Sequence, residues 1–321
     1  MSQSQMPPPP SRRRGNNAFV TLVVLVLLAA AIGLILLLVL RPSAPPVALA
    51  SPTATPSPTP IPIDQALLNR RVTFLVLGTD QNAQRRAAGA NVLTDSMIVV
   101  SVNATHTKLS MISVPRDTVD VPLPDGTVWH EKLNSLLEAK GLDVTRETFD
   151  GLLGVKIDYT MVVDMDDFAS LVDAFGGVDV TVAEAINDPS IGFRITAGRH
   201  HMDGRTALAY CRSRHTTNDF SRADRQQQVL LALLARFNDP AAKIDILALV
   251  SSLQHLQTDI PRTKLPTIAE IARRSKAAAV TRAVLQPPRF YDVQVSGPRG
   301  YILLPKLALI RAYVEPLMIG P

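Results

Sequence analysis

The sequence predicts an α/β domain built on a mixed β-sheet. Three apolar runs of strand length come early: VTFLVL at 72–77, MIVVSV at 97–102 and KLSMISV at 108–114. The six-residue connection NATHTK joins the second and third runs as a hairpin. Helical patterns then separate later strands, which requires crossover connections. Hairpins and crossovers in one chain predict a sheet with both antiparallel and parallel pairs.

The remaining elements follow from local patterns. We expect a short helix at 64–69, helices opening at Lys132 and spanning 144–153, and a strand at YTMVVDM, 159–165. DDFASLVDAFGG is a helix with one apolar face and a glycine stop, and VDVTVA at 178–183 is an edge or hairpin strand. Beyond Asn238 the sequence predicts helices at IDILALVSSLQHL and KLPTIAEIARRSKAAAV, then a final strand and helix.

Two polar motifs are expected in turns. The glycosylation sequon at Asn103 lies in a turn and is explained by turn chemistry, and His200 with His201 is expected in a surface turn.

The N-terminal region predicts a membrane anchor. Residues 1–17 are polar and Pro-rich, whereas residues 18–40 contain no charged side chain and exceed the roughly 20 residues that cross a bilayer. Three arginines precede this run, so the N-terminus is expected in the cytoplasm. A cleavable signal peptide is the alternative, but its apolar region spans only about 7–15 residues. We therefore expect a single-pass membrane protein with a Pro/Ser/Thr-rich linker at 41–70 and an extracytoplasmic domain at 71–321.

Composition excludes several classes of protein. A single cysteine, Cys211, rules out an internal disulfide and a cysteine metal cluster. The net charge of +5 suits several anionic partners, but aromatic content of 5% and the lack of a continuous basic helix argue against nucleic acid. The histidines show no spacing typical of zinc sites.

Residues 199–228 form an arginine-rich segment with six arginines. Arg212 and Arg214 would share one face if ALAYCRSR were a strand, with Cys211 on the other face. Ser221 and Asp224 resemble a capping box, which would place Arg222, Arg225 and Gln226 on one face of a first helical turn. Guanidinium groups beside a helix N-terminus favour a phosphate site. The alternative is a solvated basic helix start with ordinary ion pairs.

Acidic side chains at strand ends could complete that site. Asp80 follows the first strand and Asp95 precedes the second, so antiparallel pairing would bring both carboxylates to one edge of the sheet. Two carboxylates without histidine or thiol partners favour Mg²⁺. Asp80 could equally be an Asx-turn residue and Asp95 a loop cap. Arg116, with Asp117 as its partner, is a third candidate at that edge.

These motifs resemble the LytR–CpsA–Psr family in both content and order. The matching segments are LGTD, TDSM, SVPRD, KLN, LLG-x-x-IDY, FGGVDV, ALAYCRSR and DFSRADRQQQ, between about residues 72 and 237. Departures include TDSM for SDTM and DFS-R for DFG-R. Neither removes a charged side chain.

The resemblance implies a specific activity and fold. Members move a glycopolymer from a polyprenyl-pyrophosphate carrier to a peptidoglycan hydroxyl, within an α-β-α sandwich that holds an apolar tunnel. It implies Mg²⁺ (or Mn²⁺) on Asp80 and Asp95. It also implies pyrophosphate binding by five side chains: Arg116, Arg212, Arg214, Arg222 and Gln226. Lys132 and Asn134 match a further family motif and, together with Arg225, are also expected to bind the pyrophosphate.

The sequence leaves open the identity of the general base, the walls of the tunnel and the type of reaction. Asp95 or Asp117 could deprotonate the acceptor hydroxyl. The strands MIVVSV, LSMISV and YTMVVDM could wall the tunnel or form ordinary core. A hydrolase of lipid-linked glycans would use the same site with water as acceptor, and a non-catalytic binding protein would need only the arginines. A DNA-binding attenuator conflicts with an outward-facing domain.

Overall fold

A computed structural model describes residues 62–214, 219–245, 248, 252 and 256–319. The predicted membrane anchor, residues 41–61 of the linker and most of IDILALVSSLQHL lie outside these residues. Within the described part, no helix combines the length and apolar character needed to cross a membrane.

The secondary structure alternates between strands and helices throughout. The strands are β1 (Val72–Thr79), β2 (Thr94–Val102), β3 (Lys108–Ser113), β4 (Val121–Pro122), β5 (Val128–Trp129), β6 (Tyr159–Val163), β7 (Val178–Val182), β8 (Ile186–Asp188), β9 (Phe193–Ile195), β10 (Gly198–Met202), β11 (Gln257–Thr258), β12 (Ala279–Val284), β13 (Tyr291–Gln294) and β14 (Ile302–Pro305). The α-helices are α1 (Gln65–Leu68), α2 (Ala83–Ala87), α3 (Leu136–Leu153), α4 (Met165–Ala174), α5 (Gly204–Arg212), α6 (Asp219–Asn238), α7 (Leu265–Arg274) and α8 (Leu307–Ile319).

The central sheet has six strands in the order β11-β6-β1-β2-β3-β12. The pairs β1–β2 and β2–β3 are antiparallel, whereas β1–β6 and β3–β12 are parallel. The predicted mixed sheet and the predicted hairpin are therefore confirmed.

One irregularity interrupts the β1–β2 ladder. Gly78 pairs with Ser96, but Thr79 pairs with Thr94, so Asp95 is an extra residue without a partner on β1. Such a β-bulge turns one side chain away from the regular alternation of the strand.

Helices cover both faces of the sheet. Alternation in β1 sends Phe74 and Val76 into one core cluster with α4, α6 and α7, and Leu75 and Leu77 into another with α3 and α8. The described domain is thus an α-β-α sandwich.

The close contact between α4 and α5 depends on a glycine. A Cβ atom built at Gly204 would lie 1.9 Å from the carbonyl oxygen of Ala169 in α4. Only a residue without a side chain allows these helices to pack at this distance.

The predicted stop of α3 is confirmed, because Gly154 ends the helix with φ of 72°. The two helices expected between Lys132 and Gly154 are also present: after a short 3₁₀ turn at Leu133–Ser135, α3 consists of two helical segments that meet at Gly141, where φ is 80° and the backbone is not helical.

Four sequence predictions are wrong in detail. ALAYCRSR does not form a strand: α5 covers it as far as Arg212, capped by Asp203, whose carboxylate accepts a hydrogen bond from the Thr206 N–H at 2.8 Å. Its buried residues Ala207, Tyr210 and Cys211 are spaced as on one face of a helix. The segment is too short for this spacing to be distinguished from that of a strand in the sequence. Ser221 cannot be the N-cap of α6, because the helix already includes Asp219.

The other two corrections concern strands. His200 and His201 lie in β10, not in a turn, and pair with Val180 and Asp179 of β7. The helical prediction at 264–280 holds only to Arg274; from Ala279 the chain forms β12 beside β3. The alanines there favour a helix, and pairing with β3 overrides this local preference.

Candidate functional site

The candidate site lies where β1 and β3 end and β2 begins, at one edge of the sheet. Asp80 follows β1, Asp95 is the bulged residue of β2, and Arg116 comes three residues after β3. The antiparallel order brings these three positions to the same edge, as the sequence predicted.

Asp95 is bound by three arginines from distant parts of the chain. Its carboxylate accepts from Nη1 of Arg116 at 2.5 Å and from Nη2 of Arg214 at 3.3 Å. Nη2 of Arg222 donates to the Asp95 backbone carbonyl at 3.2 Å. The bulge therefore presents both the side chain and the carbonyl of Asp95 to guanidinium groups.

Asp219 is a second centre for the same arginines. Its carboxylate lies 3.2 Å from Nε of Arg116, 3.3 Å from Nε of Arg214 and 3.4 Å from Nη2 of Arg222. No role was predicted for Asp219, although the motif DFSR and the spacing of three residues to Arg222 could have indicated it. We call Asp95, Asp219, Arg116, Arg214 and Arg222 the arginine cluster.

The arginine cluster carries three positive and two negative charges, a net charge of +1. Burial alone would lower the pKa of Arg116, but Asp95, Asp219 and Asp117 outweigh it and raise that pKa. Burial lowers the pKa of Arg222 to about 10, an effect that Arg214 and Arg116 reinforce and Asp219 opposes. Within the described part of the chain, Nε of Arg222 is buried without a hydrogen-bond partner. An anion could therefore improve the charge balance and satisfy a buried donor.

Lys132 and Asn134 contact Asp117 and the backbone of Arg116. Nζ of Lys132 donates to Asp117 at 2.7 Å, and Asp117 is almost completely buried. The Asn134 N–H donates to the carbonyl of Arg116 at 3.2 Å. Both residues thus support the backbone and partner of Arg116.

Arg225 and Gln226 contact the end of α5. Arg225 donates through Nε to the carbonyl of Tyr210 at 3.1 Å and through Nη2 to that of Ser213. Gln226 donates to the carbonyl of Cys211 at 3.4 Å. Burial lowers the pKa of Arg225. These contacts hold the segment that carries Arg212 and Arg214. The Arg225 guanidinium therefore points toward carbonyl groups at the end of α5 and not toward the arginine cluster.

Two cavities meet at the site. A polar cavity of about 260 Å³ is lined by Asp95, Arg212, Arg214 and Arg222, and also by Asp188. A cavity of about 670 Å³ runs between the sheet and helices α4, α5 and α6. Both are lined by four common residues: Asp95, Cys211, Arg212 and Gln226.

The larger cavity has mainly apolar walls. Val76, Ile98 and Val163 come from the sheet, and the helices add apolar residues such as Phe168 and Leu233. Two of the three expected wall strands therefore contribute. The third, LSMISV at 109–114, supplies no lining residue and belongs to the core.

Asp80 and Asp95, the two carboxylates predicted to hold magnesium, line the same cavity. Asp80 accepts from the Leu93 N–H at 2.9 Å and pairs with Nη2 of Arg85 at 2.8 Å, so it also has a structural role. Among the described residues, no group of three His, Cys, Asp or Glu side chains could hold a metal. Magnesium commonly uses one or two carboxylates with substrate phosphate and water, and this pair supplies that donor set.

Comparison with known proteins decides the family. The LytR_cpsA_psr family model matches residues 50–301, well over half of the chain. The chain belongs to the LytR–CpsA–Psr family.

Individual relatives share part of their sequence with this family member. It is 33% identical over 201 residues to the polyisoprenyl-teichoic acid–peptidoglycan teichoic acid transferase TagV of Bacillus subtilis, covering 60% of this chain and 50% of TagV. It is 35% identical over 167 residues to the regulatory protein MsrR of Staphylococcus aureus, covering 51% of this chain and 48% of MsrR. The chain thus spans about half the length of these curated relatives.

Solved structures share its fold. The crystal structure of Bacillus subtilis TagV superposes with a TM-score of 0.61 at 26% identity, covering 79% of this chain and 99% of that one. TagT bound to LIIa-WTA also gives 0.61, at 20% identity, covering 78% of this chain and 90% of that one. The TagT likeness shows the fold alone.

Proposed function

We propose that this protein transfers a glycopolymer from a polyprenyl-pyrophosphate carrier to a hydroxyl group of peptidoglycan. The observation that carries the proposal is the junction of the two cavities at Asp95, Cys211, Arg212 and Gln226. A lipid pyrophosphate has a multiply charged head and an apolar tail. The arginine cluster suits the head, and the cavity of about 670 Å³ suits the part of the tail nearest to it.

The arginines have a direct chemical role in this proposal. Arg116, Arg212, Arg214 and Arg222 would neutralise the pyrophosphate and the charge that develops on the leaving lipid phosphate. The buried Nε of Arg222 would gain an acceptor. Phosphate oxygens would replace part of the pairing that Asp219 supplies to the same guanidinium groups.

Asp80 and Asp95 would hold Mg²⁺, which supplies further neutralisation of the pyrophosphate when bound. Asp95 lines both cavities, whereas Asp117 is buried against Lys132. Asp95 is therefore the better-placed carboxylate to accept the proton of an acceptor hydroxyl, and Asp117 positions Arg116.

The proposed location is the outer face of the cell membrane. The apolar run at 18–40, preceded by three arginines, supports a single N-terminal anchor with the catalytic domain outside. Peptidoglycan and lipid-linked glycopolymer are both accessible there. The name of TagV, a teichoic acid transferase, supports transfer of this chemical class.

The test compares Asp80→Ala and Arg116→Ala in the full-length protein in detergent with Mg²⁺ and a lipid-pyrophosphate glycan donor. Loss of one preorganised charge contact typically lowers kcat about 100- to 1,000-fold. Arg299→Ala is the matched control, because Arg299 pairs with Asp120 on the exposed surface. Unchanged turnover in both site variants would overturn the assignment.

The product distinguishes transfer from hydrolysis, which the same cluster could support with water as acceptor. Mass spectrometry should find the glycan phosphate joined to a peptidoglycan strand. Free glycan phosphate would indicate the hydrolase. A wild type that binds the donor without any turnover would indicate a non-catalytic binding protein.

A further inference from the structure

A third cavity, of about 500 Å³, lies beside the arginine cluster and has no role in the function proposed above. It is bounded by the β7–β8 connection, the first turns of α6 and the end of β12. Its volume falls within the range of small-molecule sites, about 300–1,000 Å³. We call it the sheet-edge cavity.

The walls of the sheet-edge cavity combine apolar residues with polar side chains that are hydrogen-bonded to one another. Tyr210 donates through its hydroxyl to Oε1 of Gln228 at 2.9 Å, and Gln228 donates to Asp224 at 2.6 Å. Arg282 pairs with Asp224 and donates to Oε1 of Gln227 at 3.2 Å. These contacts fix the donors and acceptors before any ligand arrives.

The lining has no net charge. Arg225 and Arg282 are balanced by Glu184 and Asp224. This balance disfavours a phosphate, which the arginine cluster suits, and the charged and amide groups among the apolar wall residues disfavour a purely apolar lipid tail. An aromatic ring, Phe220, also lines the cavity. Neutral hydrogen-bonding walls with one ring are suited to an uncharged, polyhydroxylated ligand such as a sugar.

Helix α6 separates this cavity from the apolar one. Gln226, Leu230 and Leu233 lie at i, i+4 and i+7 and line the apolar cavity. Asp224 and Gln228, each two residues from Gln226, lie on roughly the opposite side of the helix and line the sheet-edge cavity.

The first turn of α6 connects the sheet-edge cavity to the arginine cluster. Phe220 and Ser221 line the cavity, whereas Asp219 and Arg222 on either side belong to the cluster. One helical turn rises only about 5.4 Å, so the residues that line the cavity and those that belong to the cluster lie within one turn of α6.

We propose that the sheet-edge cavity binds a sugar of the acceptor glycan. The inference rests on the proposed transferase function. In phosphoryl transfer the attacking and leaving oxygens lie roughly in line. The leaving lipid occupies one side of α6, so the attacking hydroxyl approaches from the other side, where the cavity lies. The acceptor oxygen would bond to the phosphorus, the bond to the lipid phosphate would break, and the hydroxyl proton would pass to a carboxylate at the site.

The main test fills the cavity. Ala185 is an exposed residue of the lining, and Ala185→Trp would occupy the space of a sugar ring. The control is Ala197→Trp, at an exposed alanine between β9 and β10. With full-length protein and soluble uncrosslinked glycan strands, Ala185→Trp should raise the acceptor KM about tenfold or more and leave the donor KM unchanged. The control should change neither value.

A milder variant protects the test against misfolding. Gln286→Ala removes an exposed amide and leaves the Arg282–Asp224 pair intact. Loss of one hydrogen bond should raise the acceptor KM about threefold. Saturation-transfer NMR with a peptidoglycan disaccharide provides a direct reading, and its signal should fall in Ala185→Trp and persist in Ala197→Trp.

The outcomes separate this inference from the proposed function. An unchanged acceptor KM in an active Ala185→Trp protein overturns the inference alone. A raised donor KM with an unchanged acceptor KM assigns the cavity to the glycan of the donor and also overturns it. If the wild type transfers nothing, the proposed function fails, and the NMR signal still decides whether the cavity binds a sugar.

Discussion

Asp219, at the start of α6, accepts a hydrogen bond from Nε of Arg116, three residues beyond β3, at a distance of 3.2 Å. The same carboxylate contacts Arg214 and Arg222. An acidic residue of the chain thus occupies the position where the proposed substrate would bring negative charge.

Replacing Asp219 should separate stability from anion binding. Asp219→Asn leaves three guanidinium groups with one carboxylate, and we expect the unliganded protein to lose about 1–2 kcal/mol of stability. Inorganic pyrophosphate should raise the Tm of this variant more than that of the wild type. Thermal unfolding with and without pyrophosphate measures both effects. Asp239→Asn, which breaks the Arg236–Asp239 surface pair, is the control and should show the wild-type response.

Gly204→Ala should strongly destabilise the protein, because the new Cβ would lie 1.9 Å from the carbonyl oxygen of Ala169. We expect a loss of about 3 kcal/mol or more, measured by chemical denaturation. Gly151→Ala is the matched control: Gly151 lies inside α3, and its added Cβ would meet nothing within 4 Å. That change should stabilise by up to about 1 kcal/mol. Equal effects at both positions would contradict the proposed contact between α4 and α5.

Cys211 should be unreactive in the native protein. Burial raises the pKa of its thiol to about 12, so at pH 8 the thiolate fraction is on the order of 10⁻⁴. Iodoacetamide should label the protein only after unfolding, which intact-mass measurement detects because the chain has a single cysteine. Labelling of the native protein at the rate of the unfolded chain would show that the end of α5 opens readily.

Glu270 should contribute stability that depends on pH. Hydrogen bonds from Arg273 and then Arg274 lower its pKa from 4.5 to about 2. Because the pKa of Glu270 is lower in the folded protein than in the unfolded chain, this contribution is present above pH 4.5 and disappears as the pH falls through about 2. The Tm difference between the wild type and Glu270→Gln should therefore be largest near neutral pH and vanish near pH 2. A double change, Arg273→Gln and Arg274→Gln, should remove the same pH dependence, and a constant Tm difference would contradict the assignment.

The inner strands β1, β2, β3 and β6 of the central sheet were predictable because they are apolar runs bounded by turn residues, whereas the start of β12 at its edge was predicted as a helix. β1 and β2 pair as expected, and Asp80 and Asp95 reach one edge for that reason. Local sequence carried enough information for this part of the site.

The arginine-rich segment was harder to predict. Arg225 has the same residue type and helical face as Arg222, yet it caps carbonyl groups of α5. That difference depends on where α5 packs, which ALAYCRSR alone does not reveal. The role of Asp219 likewise depends on three partners, of which Arg116 is 103 residues away in sequence.

The bulge at Asp95 has a consequence for insertions and deletions. A deletion within a regular strand shifts the residues on one side of it by one position and exchanges their faces. A deletion of the bulged residue has a different effect, because Asp95 has no partner on β1. Removing Asp95 would restore a regular ladder with Gly78 and Thr79 and leave the apolar residues from Met97 onward in place. The protein would keep its hydrophobic interior and lose the carboxylate that the proposed reaction requires.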